Sequence, residues 1–338
     1  MNILITGGFG NIGLLVVKEC LKRGYITSVF DVPSKKNLRY FKKYATKGVK
    51  VFLGNILNYE EIRMAITDQD VIIHMAAILP PVSEEKPRLC KEVNVNGTKN
   101  VIKALREGKN RHAIIEVSSA SVMGHTQDRN PPISPDDCLI GSDVYSRTKI
   151  DAEKLIVESG IPFCILRLSA VIPTGINISS ILSMVKILFD MPLNARYEIV
   201  FDIDVAYALV STAEKMTKSK EMVGIKGFIA GGKQKGCQTV VKEFIKRIFE
   251  PLGLQIPDES LFPTDNNSYY LDWYDTKNTQ DLLEYQRNSI DDWHELIKKK
   301  YGWLLPLIPL FKKKVLKWLE KKSPRHEENM NEAKRLNC

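Results

Sequence analysis

The stretch that decides the fold is NILITGGFGNIG, residues 2–13. Its first five residues are mostly apolar and β-branched, which predicts a short buried strand. Gly7, Gly10 and Gly13 then open an apolar helix expected over Asn11–Lys22. In such a unit the first glycine permits a tight turn, the second lets backbone approach a pyrophosphate, and the third lets helix and strand pack closely. The N-terminus of the helix adds free N–H groups for a diphosphate. An isolated glycine pattern would fit an ordinary turn, but the strand–turn–helix context favours a dinucleotide site.

Strands and helices alternate along the first half of the chain. The predicted strands are Ile26–Phe30, Val49–Leu53, Val71–His74, Ala113–Val117 and Phe163–Leu168, and the predicted helices are Asn58–Ile66, Lys91–Glu107 and Asp143–Glu158. Nearly continuous apolar strands separated by helices predict a parallel sheet covered on both faces. The expected fold class is therefore α/β, a Rossmann doubly wound parallel sheet with a smaller C-terminal substrate-binding lobe.

The alternation weakens after about Pro173. Helices are expected at Ser179–Phe189, Asp204–Thr217 and Gln238–Phe249, around a strand near Gly227–Ala230. We expect residues 1–172 to form the nucleotide-binding domain, residues 173–301 a substrate lobe interleaved with it, and residues 302–338 a basic amphipathic tail.

The net charge of +9 is concentrated near the C-terminus. Between Lys298 and Arg325 ten basic residues face one acid, Glu320, so the remainder of the chain is neutral. The charge therefore does not indicate a nucleic-acid-binding protein. The six cysteines are scattered and the histidines show no ligand spacing, which predicts reduced thiols, a cytoplasmic location and no metal site. The N-terminus lacks the pattern of a signal peptide, and no apolar run reaches 18 residues.

Asp31 ends the second strand, 18 residues after Gly13. A carboxylate at this position accepts the ribose hydroxyls of an adenosine and repels a 2′-phosphate, which favours NAD over NADP. The alternative is a turn aspartate before Pro33. Basic residues that follow, Lys35 and Lys36 among them, could soften the preference.

Tyr145 and Lys149 lie four residues apart on one face of a predicted helix. A free tyrosine, with a pKa of about 10, is a poor base at neutral pH. A nearby ammonium favours the phenolate, which could exchange a proton with a substrate hydroxyl while a hydride passes between the same carbon and a nicotinamide. Ser119, in a serine pair at the end of an apolar strand, could hydrogen-bond the reacting oxygen. A tyrosine and lysine at this spacing are usually just part of an amphipathic helix; the preceding glycine turn and serine pair favour catalysis.

This combination resembles the extended short-chain dehydrogenase/reductase family, the NAD-dependent epimerase/dehydratase group. The resemblance runs from Met1 to about Trp293. Its pieces are Thr6–Gly13, Asp70–Ala77, Asn94–Asn100, Ser118–Gly124, Tyr145–Lys149, Asp204–Ala206 and Asp275–Leu283.

The resemblance implies an NAD cofactor, a small-molecule substrate and a set of site residues. It makes Ser119, rather than Ser118, catalytic with Tyr145 and Lys149. The cofactor residues that it implies are Gly7, Gly10, Asn11, Ile12, Gly13, Asp31, Asn55, Ile56, Met75, Ala76, Ala77, Asn94, Val117, Tyr145 and Lys149. His74 is expected to support the strand end rather than to catalyse. A homodimer through helices such as Lys91–Glu107 and Asp143–Glu158 is also implied.

The departures from the family pattern concern the substrate. Dehydratases of this family carry Asp-Glu where Ala120-Ser121 stands here, and sugar-nucleotide epimerases carry an asparagine where Ala170 stands. Met123 replaces the usual tyrosine before Gly124. We therefore expect an NAD-dependent oxidoreductase acting on a less polar secondary alcohol or ketone. The alternatives are a nucleotide-sugar epimerase with tightly bound NAD and a non-catalytic NAD-binding sensor.

Apolar residues of the basic tail fall near one helical face: Leu307, Ile308, Phe311, Val315, Trp318 and Leu319. With lysines around it, such a helix could lie on an anionic membrane surface, which would make the protein peripheral. The plainer interpretation is that the helix packs on the body with a solvated lysine face; contact with another protein or a nucleic acid is the third alternative.

Overall fold

The structure, a computed structural model, describes residues 1–108, 112–175, 189–250, 253–265, 271–303, 312–321 and 323. In these ranges, ten strands form two sheets. They are β1 (Asn2–Thr6), β2 (Ile26–Asp31), β3 (Lys50–Leu53), β4 (Val71–His74), β5 (Ala113–Ser119), β6 (Phe163–Leu168), β7 (Ala170–Ile172), β8 (Arg196–Phe201), β9 (Lys226–Ile229) and β10 (Gln238–Val240).

Helices pack against both sheets. They are α1 (Asn11–Lys22), α2 (Lys35–Ala45), α3 (Tyr59–Ile66), α4 (Val82–Glu85), α5 (Pro87–Lys91), α6 (Gly97–Glu107), α7 (Val144–Val157), α8 (Asp202–Lys218), α9 (Val241–Phe249), α10 (Lys277–Leu283), α11 (Ile290–Tyr301) and α12 (Lys312–Glu320).

The larger sheet is parallel, with strand order β3-β2-β1-β4-β5-β6-β9. Ile3 of β1 pairs with Thr27 of β2 on one side and with Val71 of β4 on the other. The strand order therefore reverses at β1, with β2 and β3 on one side of it and the later strands on the other. In such sheets, ligands bind in the crevice at the carboxyl edge above this reversal point. The predicted doubly wound α/β fold is confirmed.

Apolar residues fill both sides of the sheet. Alternate residues of β1 face opposite layers: Ile3 and Ile5 pack with α1 and α8, and Leu4 packs with α3 and α6. All three are fully buried. Complete burial of a side chain of this size contributes about 1.5–3 kcal/mol, so this alternation fixes the register of the central strand.

A second sheet of three strands, in the order β10-β8-β7, lies beyond β6. β7 pairs with β8 in parallel and β10 pairs with β8 antiparallel. A separate apolar cluster surrounds it and includes Tyr197, Phe244 and Trp293. The division into residues 1–172, 173–301 and 302–338 stays a prediction, but β9 returns to the edge of the larger sheet, so the two halves of the chain are interleaved there.

Several predicted elements need correction. The helix expected over Gln238–Phe249 begins only at Val241, because the three residues before it pair with β8. The helix expected over Lys91–Glu107 contains a π-helical segment, Glu92–Asn96. α2 was not predicted, although Ser34 caps it by accepting a hydrogen bond of 3.1 Å from the Asn37 N–H. Ser179–Phe189 lies outside the described residues except for its last residue.

Helix α12 of the basic tail contacts the body of the protein. Leu319 is 3% exposed and belongs to the apolar cluster of the second sheet, against which Leu316 also packs. The Ser323 hydroxyl donates a hydrogen bond of 2.8 Å to the Leu261 carbonyl oxygen. Part of the apolar face considered for a membrane is therefore covered, while Leu307, Ile308, Phe311 and the side chain of Val315 lie outside the described residues. Within the described ranges, no helix is long and apolar enough to cross a bilayer.

Candidate active site

A cavity of about 690 Å³ lies at the carboxyl edge of the larger sheet, above the point where the strand order reverses. Most of the residues expected to bind the cofactor line it. They are Gly7, Gly10, Asn11, Ile12, Gly13, Asp31, Asn55, Ile56, Met75, Ala76, Ala77, Val117 and Tyr145, and Ser119 joins them. Asn94 and Lys149 are not among the lining residues: Asn94 hydrogen-bonds Ile78, which lines the cavity, and Lys149 forms an ion pair with Glu116.

The glycine turn leaves no space for side chains. Gly7 has φ +68°, and a Cβ added there would lie 3.1 Å from Ala76 Cα. A Cβ on Gly13 would lie 2.5 Å from the Gly7 carbonyl oxygen. No side chain caps the N-terminus of α1, whose first turn carries no acid. The free N–H groups and the positive end of the helix dipole therefore suit a bound anion such as a diphosphate.

Asp31 occupies the end of β2 at the wall of the cavity. Its Oδ1 accepts hydrogen bonds from the Val32 N–H (2.8 Å) and the Asn37 amide (3.0 Å), and its Oδ2 accepts one from the Phe9 N–H (2.9 Å). Burial raises the pKa of this carboxyl, and the three donors partly offset that effect. Because each carboxylate oxygen accepts about two hydrogen bonds, Oδ2 can take one more, for example from a ribose hydroxyl.

The neighbouring Asn55 lines the cavity beyond Asp31. Its side-chain oxygen accepts a hydrogen bond of 3.0 Å from the Leu57 N–H, and its own N–H donates to Glu61 Oε2 at 2.6 Å. These bonds fix the loop after β3 at the edge of the cavity.

His74 is buried at the end of β4 between two threonine hydroxyls. Thr98 donates its hydroxyl hydrogen to the Asn94 carbonyl oxygen (2.7 Å), so it accepts from His74 Nε2 (2.9 Å). His74 Nδ1 is then the acceptor for the Thr6 hydroxyl (2.8 Å). Burial lowers the pKa of His74 to about 3, with a smaller contribution from Lys149. The imidazole is therefore neutral and ties β1 to α6, which agrees with the supporting role expected for it.

The side chain of Asn94, in the π-helical segment, joins the cavity wall to the helix of Tyr145. Its oxygen accepts from the Ile78 N–H (2.7 Å), and its amide donates to the Thr148 hydroxyl (2.9 Å). Thr148 in turn donates to the Tyr145 carbonyl oxygen (2.7 Å). Asn94 thus holds α7 against the loop after β4.

Ser119 and Tyr145 face the same cavity. The Ser119 hydroxyl oxygen accepts hydrogen bonds from the Ser121 hydroxyl (2.9 Å) and the Ser121 N–H (3.2 Å). Burial raises the pKa of the Tyr145 phenol, whereas Lys149 and the Ser119 hydroxyl lower it. Without a bound nicotinamide, burial outweighs the effect of Lys149, which the sequence could not reveal.

Lys149 forms a buried ion pair with Glu116, a residue that sequence reasoning missed. Burial lowers the pKa of Lys149, but Glu116 and Tyr145 more than offset this, so the ammonium stays charged. The available signal was a charged residue inside an apolar strand, since Glu116 interrupts the run Ala113–Val117. The other side chains that line the cavity without having been predicted include Phe9, Asn37, Ile78, Leu79, Leu168 and Val171.

Residues 4–163 match the model of the 3-beta hydroxysteroid dehydrogenase/isomerase family. The chain superposes on the UDP-glucose-4-epimerase of Stenotrophomonas maltophila, crystallised with NAD and formylated UDP-arabinopyranose, with a TM-score of 0.71 at 18% identity, covering 89% of this chain and 99% of that one. The chain is thus similar to extended short-chain dehydrogenases/reductases, through a family-model match over nearly half of its length. The resemblance expected from the sequence is thereby confirmed.

Among the curated relatives are two enzymes whose names refer to steroid or sterol substrates. A 3-beta-hydroxysteroid dehydrogenase of Mycolicibacterium neoaurum is 32% identical over 184 residues, which cover 52% of this chain and 47% of that protein. The human sterol-4-alpha-carboxylate 3-dehydrogenase, decarboxylating, is 26% identical over 196 residues, 58% of this chain and 50% of that protein. The chain thus spans about half the length of the curated relatives that it matches.

Proposed function

We propose that the protein is an NAD-dependent oxidoreductase that transfers hydride at a secondary alcohol or ketone carbon, with Tyr145 as the acid/base. One observation carries the proposal: a single cavity is lined by the glycine turn and Asp31 and also by Ser119 and Tyr145. A dinucleotide that extends from Asp31 across the glycine turn would bring its reactive end toward the two hydroxyls.

The residues present fit NAD. The glycine turn, whose Gly13 leaves no room for a Cβ, and the uncapped N-terminus of α1 would hold the diphosphate. Asp31 has one remaining acceptor position for a ribose hydroxyl, and its negative charge opposes a 2′-phosphate. When bound, the nicotinamide supplies the hydride acceptor or donor.

Ser119 can donate a hydrogen bond to the substrate oxygen. Its oxygen accepts two hydrogen bonds from Ser121, so its own hydrogen is available as a donor, to the Tyr145 phenol when no substrate is bound and to a substrate oxygen otherwise. Tyr145, at the same wall of the cavity, takes the proton of an alcohol or returns it to a ketone. Lys149 favours the phenolate form of Tyr145 electrostatically.

The cavity favours a substrate less polar than a nucleotide sugar. Leu79, Leu168 and Val171 line it, and Leu79 is 55% exposed. Arg167 begins the segment in which epimerases carry an asparagine at the position of Ala170 here. Its guanidinium cannot bind a substrate diphosphate, because it already binds Glu153 and the Pro135 carbonyl oxygen. The names of the curated relatives suggest a steroid- or sterol-like alcohol.

A nucleotide-sugar epimerase with tightly bound NAD is the second candidate, and the shared cavity architecture is compatible with it. The two candidates differ in how they use the cofactor, because an epimerase recycles bound NAD whereas a dehydrogenase exchanges it at each turnover. A non-catalytic NAD-binding sensor is the third candidate. Ser119 and Tyr145 together at the cavity wall argue against it, because a sensor needs neither hydroxyl.

The test has two parts. The nucleotide released on denaturing freshly purified protein is identified and quantified, and NADH formation is then measured with 3β-hydroxysteroids and with UDP-sugars. We expect little retained nucleotide and NADH formation with the steroid alcohols alone. Stoichiometric retained NAD with interconversion of a UDP-sugar would instead establish the epimerase, and reversible NAD binding without turnover of either class would favour the sensor.

Two further expectations about partners stay proposals. The homodimer through the outer faces of α6 and α7 can be tested by light scattering of the purified chain. Membrane contact of the basic tail can be tested by co-sedimentation of the full chain, and of a chain ending at Tyr301, with anionic vesicles. Because Leu319 is buried against the body, we expect the two chains to sediment alike.

A further inference from the structure

A buried carboxylate lies beside the lysine of the candidate active site. Glu116, on β5, is fully buried, and its Oε1 contacts the ammonium of Lys149, whose side chain is 5% exposed. Glu116 Oε2 is buried and has no hydrogen-bond partner among the described residues. Lys149 is therefore the cation that compensates Glu116 in the described part of the chain.

The other buried glutamate nearby is already compensated. Glu153 lies one helical turn beyond Lys149 on α7, but its carboxylate accepts two hydrogen bonds from Arg167, at 3.0 and 2.8 Å. It also accepts one of 2.6 Å from the Ser118 hydroxyl. Because Glu153 and Arg167 neutralise each other, Lys149 has Glu116 as its own counter-ion.

We propose that Glu116 is a positioning residue that anchors the Lys149 ammonium and limits how strongly it favours the phenolate form of Tyr145. The inference deepens the proposed function, in which Tyr145 moves the proton, and rests on it. The two charges act on the phenol in opposite senses: Lys149 lowers the pKa of Tyr145 and Glu116 raises it. In the protein interior, interactions between charges are weakly screened, so each nearby charge changes the pKa of such a phenol by about one unit or more.

The other titratable groups near this pair do not take over the role of Glu116. Among the described residues, the charged and titratable groups around the pair are His74 on β4, Cys90 on α5, Arg167 on β6, and Tyr145 and Glu153 on α7. His74 is neutral because burial lowers its pKa to about 3, and burial raises the pKa of the Cys90 thiol.

The test measures the ionisation of Tyr145 directly and needs no substrate. Protein labelled with 3,5-difluorotyrosine, whose phenol ionises at lower pH than that of tyrosine, is titrated by ¹⁹F NMR, and the Tyr145 signal is assigned by its loss in Tyr145→Phe. In Glu116→Gln we expect the Tyr145 midpoint to fall by at least about one pH unit. Glu158→Gln, at an exposed position just after α7, is the matched control and should leave the midpoint unchanged.

A double variant keeps the inference testable if Glu116→Gln does not fold. Replacing both members of a buried pair by apolar residues is often tolerated, so Glu116→Met/Lys149→Met removes both charges together. If Glu116 opposes Lys149, the Tyr145 midpoint rises less in this double variant than in Lys149→Met, which removes the ammonium and leaves the carboxylate. An equal rise in the two variants would show that Lys149 acts alone and would overturn the inference, as would an unchanged or higher midpoint in Glu116→Gln.

The pH dependence of hydride transfer separates this inference from the proposed function. If both hold, the acid limb of the kcat profile shifts to lower pH in Glu116→Gln by the amount seen in the NMR titration. A shift in the NMR midpoint without turnover of any alcohol or ketone would contradict the proposed function and leave the role of Glu116 intact.

Discussion

The carboxylate of Asp31 accepts a hydrogen bond of 2.9 Å from the Phe9 N–H, which fixes the acid at the end of β2 to the glycine turn. The residue that would select the ribose and the turn that would hold the diphosphate are thus one rigid unit. The ribose and the diphosphate of a dinucleotide are a fixed distance apart, so the groups that bind them must also be held at a fixed distance. Hydrogen bonds from the Val32 N–H and the Asn37 amide to the same carboxylate help to hold Asp31 in place.

Asp31→Ala is expected to reduce the preference for NAD over NADP. The substitution removes the negative charge that repels a 2′-phosphate and the acceptor for a ribose hydroxyl, so the ratio of the two dissociation constants should change by about tenfold or more. Calorimetric titration with each cofactor measures it. The control is Asp151→Ala, at an exposed position of α7; an equal change in that variant would remove Asp31 from cofactor selection.

Tyr145→Phe is expected to reduce hydride transfer by about 10²–10⁴-fold, the usual contribution of a positioned acid/base. Binding of NADH, followed by its fluorescence, should be retained because the ring remains. Tyr59→Phe, which removes a phenol that contacts Glu107 at the surface, should keep full turnover. Retained activity in Tyr145→Phe would exclude the assigned mechanism.

Gly13→Ala is expected to weaken NAD binding and to lower the free energy of unfolding by about 1–3 kcal/mol, because the new methyl group would overlap the backbone of the glycine turn. Gly175→Ala is the control, since a Cβ at that position meets no atom within 4 Å. Denaturant titration and calorimetry measure the two effects. Equal behaviour of both variants would show that the close packing of the turn has no energetic role.

Glu198 should make stability depend on pH. Burial raises the pKa of Glu198 to about 7, although the Tyr274 and Gly232 N–H groups donate to its carboxylate. Because the folded-state pKa lies above the unfolded value of about 4.5, the stabilisation is complete below pH 4.5 and is lost as pH rises toward 7. The loss amounts to at most about 3 kcal/mol. The measurement is the free energy of unfolding at pH 5 and pH 7.5.

In Glu198→Gln this part of the pH dependence should disappear. The variant is expected to be less stable than the wild type at pH 5, because its amide places a donor against the backbone donors, and the difference should narrow at pH 7.5. Glu158→Gln should retain the pH dependence of the wild type. A parallel pH dependence in Glu198→Gln and the wild type would assign the titration to other groups.

Leu319→Ala tests whether α12 is docked in solution. Because Leu319 is 3% exposed in the apolar cluster of the second sheet, its truncation should lower the free energy of unfolding by about 2–4 kcal/mol. Leu296→Ala, at a position 41% exposed, should cost well under half of that. Unchanged stability in Leu319→Ala would mean that α12 is not docked on the body in solution, and its apolar face would then be available for membrane contact.

Local patterns carried most of the predictable information. The six strands of the first half were recognised because buried parallel strands are apolar throughout and glycines mark the turn that follows β1. α2 has only a weak helical pattern in the sequence because five of its 11 residues are basic, so the cap at Ser34 is its clearest sign. The pattern over Gln238–Val240 predicts helix because these three residues are extended only through pairing with β8, a contact distant in sequence.

The sequence alone indicated the doubly wound sheet, the family resemblance, and most of the expected cofactor residues that line one cavity, because each motif depends on neighbours within a few positions of the chain. Tertiary structure decided which charges meet. Glu116 and Lys149 are 33 residues apart, yet they form a buried ion pair. Glu153 of α7 likewise forms a buried ion pair with Arg167 of β6. An unpaired charge is strongly destabilising when it is buried, so each buried charge needs a partner of opposite sign. Which residues become partners depends on how β5, β6 and α7 pack together, and a local sequence pattern does not predict that packing.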